Sequence, residues 1–184
     1  MRLPPLQELS AEQQELRSRL LKRRGGVRGP FEVLLHSARP GTLIEELSTY
    51  CARESALPPR LRELALLVVA RHFDAEHSWA AHIGAAEAAG VDPAALSRLA
   101  RGEEPKFPAA DEAVLYAFSD QALRLHFVDD ATYAAALDAF GEPGLVDLAI
   151  SLGNFAALAL LLNTFQVDLP PGHRPAFQQR REEG

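Results

Sequence analysis

A chain of 184 residues with 47% hydrophobic composition fits one domain able to bury roughly 70% of its unfolded surface. A net charge of -6 lacks the basic footprint of a general nucleic-acid binder, and a single cysteine rules out an intrachain disulfide. That cysteine usage and the lack of an apolar signal-peptide core at the start predict a cytoplasmic protein.

Val, Ile and Thr are sparse beside Ala, Leu and Glu, and no run alternates with period two, so the sequence predicts an all-α compact bundle of about seven to nine helices. After a proline-containing lead, Ser10 with Gln13 forms a capping box that opens a helix to residue 23, ended by Gly25-Gly26. A short helix over 30–37 follows, closed by Pro40-Gly41. Thr42 with Glu45 repeats the capping signature for a helix to residue 54. Pro58-Pro59 starts a helix over 59–73, Asp74 marks a bend, and an Ala-rich helix over 76–89 stops at Gly90. Helices over 93–100, 110–125, 130–140 and 143–165 complete the pass. The last is largely apolar, but Asp147, Ser151, Asn154 and Asn163 interrupt it, so it reads as a buried bundle helix with no membrane role. Residues 1–168 form the expected single domain. Residues 169–184, rich in proline and polar side chains, form an expected mobile tail.

Within the 59–73 helix, Leu61, Leu64, Leu66, Leu67, Val68 and Val69 cover most of the circumference, so Glu63 is expected to be at least partly buried. A carboxylate there must pair, accept hydrogen bonds or take up a proton. It either serves acid/base chemistry, or pairs with Arg60 or Arg62, or favours the first helical turn. Ser78 and His82 are one turn apart on the next helix and share a face with Ala75. Histidine carries protons at neutral pH, though a solitary helix histidine more often serves as a hydrogen-bonded core or surface residue. His72, His77 and His82 are spaced by five, which turns each about 140° from the last, so no metal site is predicted. Lys22-Arg23-Arg24 and Arg28 read as a helix-end cluster, solvated or complementing the dipole. No G-x-S-x-G elbow, Walker loop or dinucleotide fingerprint is present.

The stretch from Arg62 to His82, the following Ala-Ala-His-Ile-Gly-Ala-Ala-Glu-Ala-Ala-Gly-Val, and Pro30-Phe31-Glu32-Val33-Leu34-Leu35-His36-Ser37 together resemble the carboxymuconolactone decarboxylase and alkylhydroperoxidase D-like superfamily. The similarity spans residues 30 to 167. The redox branch carries E-x11-C-x2-C-x3-H; here Glu63 and His82 keep both spacings, and Ala75 and Ser78 stand in the cysteine positions. The resemblance implies an alkylhydroperoxidase D-like bundle and a homo-oligomer, trimer or hexamer, with sites near subunit boundaries. Serine forms neither sulfenate nor disulfide, which removes the redox chemistry of that motif.

What remains is the acid/base work of the non-redox branch. The resemblance then implies a cofactor-free enzyme acting on a small organic acid or lactone, with His82 and Glu63 handling the proton and Ser78 beside them. Trp79 would form an apolar wall or simply fill the core, and His77, His36 or Arg71 would take an anion. Glu32 stands where many relatives carry asparagine, a departure that weighs against an acidic substrate. Two alternatives stay open: a non-catalytic scaffold or binding member, and a thiol peroxidase using Cys51, whose neighbour Arg53 points off its helical face.

Overall fold

The computed structural model describes residues 1–177, and among them eight helices and no strand occur. Helix α1 (Ala11–Arg24) starts at the expected capping box, with Ser10 and Gln13 bonded reciprocally. It is followed by α2 (Pro30–Leu34), α3 (Ala38–Arg53), α4 (Pro59–His72), α5 (Glu76–Ala88), α6 (Pro93–Ala100), α7 (Ala110–Leu125) and α8 (Asp130–Thr164).

The centre of the bundle is α4, which packs against α5, α7 and α8. Its residues Leu61, Leu64, Ala65, Leu67, Val69 and Ala70 are each no more than 1% exposed. Burying each such Leu or Val contributes about 1.5–3 kcal/mol, so this helix supplies a large share of the driving force. One hydrophobic cluster runs from Leu16 to Phe177 and ties all the described elements together.

The start of α3 differs from expectation. The Thr42–Glu45 pair does not start a helix: α3 begins four residues earlier, at Ala38, and carries Pro40 and Gly41 in its first turn. A proline there lacks only an N–H that has no intrahelical acceptor in any case. Gly41 is buried where a Cβ would lie 2.8 Å from the Leu34 carbonyl oxygen, so it allows α3 to cross the end of α2 closely. Glu45, freed from capping, is fully buried and surrounded by Arg19, Arg23 and Arg24 of α1.

The two helices expected on either side of residues 141 and 142 are both present: the 35 residues of α8 are broken at Gly141 (φ 66°, ψ 173°), a conformation open to glycine. By length and apolarity alone α8 resembles a membrane span, yet 56% of its most apolar window is buried in the bundle, a use that accounts for its hydropathy.

Within the expected tail, residues 171–176 are exposed and Phe177 is anchored. Phe177 is 6% exposed and stacks edge-on against Trp79 at 5.2 Å, and the backbone N–H groups of Ala176 and Phe177 donate to the two carboxylate oxygens of Glu76 at 2.7 and 2.8 Å. A proline-rich composition hid an aromatic anchor. The rest of the expected tail, 178–184, lies outside the described residues.

Candidate active site

Helices α4 and α5 are joined by Phe73, Asp74 and Ala75, with Asp74 in the left-handed region (φ 48°) that aspartate tolerates better than most side chains. Ala75 N–H donates back to the Ala70 carbonyl at 2.7 Å, and Arg71 holds the Asp74 carboxylate and the Ala100 carbonyl. The tight reversal lays α5 along α4. As a result Glu63, in the first half of α4, meets His82, midway along α5: His82 Nδ1 lies 2.9 Å from Glu63 Oε2. An ionised carboxylate only accepts, so Nδ1 carries the proton and Nε2 is left as the ring nitrogen available to a ligand. The side chains are 25% and 37% exposed, so the pair is held without being sealed.

Beside this pair is a cavity of about 400 Å³, the lower part of the range for small-molecule sites. Phe31, Leu66, Val69, Phe155, Leu158 and Leu162 form its apolar walls. Its polar groups are Ser48, His77, Ser78, His82, Arg24 and Arg28, and no carboxylate lines it. Ser48 Oγ is fixed by a 3.1 Å bond to Asn154 Oδ1 of α8.

The sequence-predicted residues divide. Ser78 and His82 reach the cavity wall together, as their shared face requires, and Glu63 stands behind His82, which makes it a positioning group. His77 also lines the cavity and borders an outer groove of about 860 Å³; its Nδ1 donates to the Asp168 carbonyl at 2.6 Å. Trp79 does not form the apolar wall. It is 4% exposed, lines neither space and packs against Phe177. His36 lies half-buried beyond α2 and lines neither space. Arg71 is occupied by Asp74 and lies over the Phe177 ring at 5.0 Å. The cations that do reach the cavity, Arg24 and Arg28, come from the cluster that the sequence reads as a solvated helix end. Among the described residues, no group of three or more His, Cys, Asp or Glu side chains is placed to hold a metal ion.

The arrangement of helices is shared with solved structures. A peroxidase-related protein from Silicibacter sp. TM1040 superposes with a TM-score of 0.74 at 18% identity, over 93% of this chain and 91% of that one. A protein of unknown function from Agrobacterium tumefaciens, proposed as the antioxidant defence protein AhpD, gives 0.67 at 14% identity, over 75% and 95%. At such identities the likeness concerns the fold. No curated protein sequence matches the chain. Residues 41–119, from α3 into α7 and including Glu63, Ser78 and His82, match the carboxymuconolactone decarboxylase family. Over those residues the chain is similar to members of the carboxymuconolactone decarboxylase and alkylhydroperoxidase D-like superfamily.

Against the redox pattern of that superfamily, Ala75 is fully buried at the start of α5 and Ser78 occupies the cavity wall, so the site offers a hydroxyl and no thiol. The one cysteine, Cys51, is 1% exposed and lines neither the cavity nor the groove. Burial pushes its thiol pKa up, with a hydrogen bond to Ser151 only partly offsetting this. A thiolate nucleophile is therefore disfavoured where the peroxidase alternative would need one.

Proposed function

We propose that the chain is a cofactor-free acid/base enzyme that moves a proton to or from carbon in a small organic acid or lactone, by decarboxylation or isomerisation. The observation that carries this reading is the Glu63–His82 bond of 2.9 Å beside a cavity whose lining contains no acid. In a decarboxylation the C–C bond to the carboxylate breaks, carbon dioxide leaves, and the electron pair passes into an enolate. His82, protonated at Nε2, then delivers that proton to carbon. Glu63 keeps the ring oriented and stabilises the imidazolium form. Ser78 Oγ and the cationic wall offset the charge that develops on the enolate oxygen. The apolar walls exclude water and so strengthen each of these interactions.

The test is a panel of carboxylated lactones and enolisable acids incubated in D2O. NMR follows deuterium incorporation at carbon and loss of the carboxylate. Turnover in the wild type that disappears in His82→Ala supports the reading; turnover unchanged in the variant, or none with any member of the panel, rejects it in favour of a scaffold role.

The same reading takes the protein as a cytoplasmic homo-oligomer. Leu43, Leu47 and Tyr50 leave an apolar row exposed on α3, and Val146, Ile150 and Leu160 leave another on α8, which packs beside it. Sedimentation velocity on wild type and Leu47→Arg checks this: a trimer or hexamer that dissociates in the variant is expected.

A further inference from the structure

Two arginines reach the cavity, and they differ in what their charge already meets. Arg24 is matched: its Nε lies 3.5 Å from Glu45 Oε1, its Nη2 donates to Thr49 at 3.2 Å, and its guanidinium lies over the Phe31 ring at 4.2 Å. Arg28 donates only to the Gly25 carbonyl, at 3.3 Å, and among the described residues forms no ion pair. Most of its five donors are therefore open to a ligand. The chain folds back after α1 so that the guanidinium lies against Gly26, where a Cβ would come within 2.7 Å of Arg28 Nε. Any other residue at position 26 would have to displace that side chain.

The surroundings select the anion's side. Arg28 and His77 stand in the wall shared by the cavity and the outer groove. The groove carries the carboxylates of Glu32, Glu87 and Asp168, whereas the cavity carries none. An anion bound at Arg28 is repelled on one side and met on the other by an apolar chamber with His82 on its wall. We infer that Arg28 is the carboxylate anchor of this site and makes it selective for monocarboxylates with a compact apolar body. The guanidinium fork takes the two carboxylate oxygens, and Phe31, Val69 and Phe155 enclose the body. This inference rests on reading the cavity as the substrate site. It also answers the objection raised by Glu32, which faces the groove and not the cavity.

Benzoate and benzamide, nearly equal in shape and different in charge, serve as probes in calorimetric or ligand-observed NMR titrations. Wild type is expected to bind benzoate at least about tenfold more tightly than benzamide, the scale of one charge-assisted hydrogen-bond pair. Arg28→Ala should remove that preference while leaving benzamide binding as it was, Arg28→Lys should keep part of it, and Gly26→Ala should reduce it without changing any charge. Arg28 is exposed, so circular dichroism of the variants should match the wild type. Equal binding of the two probes to wild type, or an undiminished preference in Arg28→Ala, overturns the assignment. His82→Ala separates the two readings: it should keep the benzoate preference, and if it loses the preference while Arg28→Ala retains it, His82 is the anchor and the inference falls. Should the anchor hold while turnover is indifferent to His82, proton transfer is the reading that fails.

Discussion

One turn apart on α4, Arg60 and Glu63 each make an ion pair, and the two pairs are built for opposite ends. Arg60 reaches α7, where Nη2 lies 2.7 Å from Asp111 and Nη1 bonds Glu112, whose side chain is 2% exposed. Desolvation is the strongest influence on the Arg60 guanidinium and works against its charge, yet the bonds to Glu112 and Asp111 leave its pKa raised. The guanidinium keeps its charge, and the pair ties α4 to α7. Glu63 instead meets an imidazole, with both side chains open enough to exchange with a cavity. A sealed carboxylate paired with a permanent cation holds helices together, whereas a half-open one paired with a titratable ring is placed to assist proton movement.

The contrast can be broken at either end. Removing the ring should have the largest effect: His82→Ala is expected to lower turnover by about 10²–10⁴-fold, the usual contribution of a positioned acid/base group, with little change in denaturant midpoint. Arg60→Ala should do the reverse. It strands Glu112 in the interior and should cost about 3–5 kcal/mol in urea unfolding, with any loss of activity following the folded fraction.

Glu63→Gln sharpens the comparison further, because glutamine can still accept from Nδ1–H but carries no charge. Turnover should fall by about 10–100-fold, the scale found where a carboxylate orients a working histidine, while stability shifts by less than about 1 kcal/mol. A stability loss as large as that of Arg60→Ala would show that Glu63 is a structural residue after all. The smallest effect is expected at Cys51, a buried titratable group with no cation beside it. Its raised pKa means less thiolate at any given pH, so native-state alkylation should have its inflection at higher pH than alkylation of the urea-unfolded chain. Coincident curves would show that burial does not restrain it.

The sequence was most readable where the physics is local. Helices α1 and α4 to α7 begin and end close to their capping, proline and glycine signals, and the short turn between α4 and α5 makes the meeting of Glu63 and His82 follow from spacing. Errors came where a local signal was satisfied in the wrong context. Thr42 and Glu45 have the form of a capping box, but Thr42 Oγ1 donates to the Ala38 carbonyl inside a helix already under way, and Glu45 answers three arginines on another element. For Trp79 the spacing leaves cavity wall and core filling open, because the partner that decides for the core, Phe177, lies almost a hundred residues further along a stretch with no regular structure. Arg28 escaped notice for a related reason. A basic residue after two glycines reads as solvated until the fold closes a chamber beneath it.

The grip of Glu76 and Phe177 on α5 has a practical side. The helix that presents Ser78 and His82 is also braced, at Glu76 and Trp79, by the last described residues of the chain, through two backbone hydrogen bonds and a buried ring. A recombinant version ending before Ala176 would uncover Trp79 and leave Glu76 without those donors, so loss of activity in such a truncation would report on the brace and not on the chemistry. Affinity tags are better carried at the amino end, or beyond a spacer long enough to let Phe177 seat.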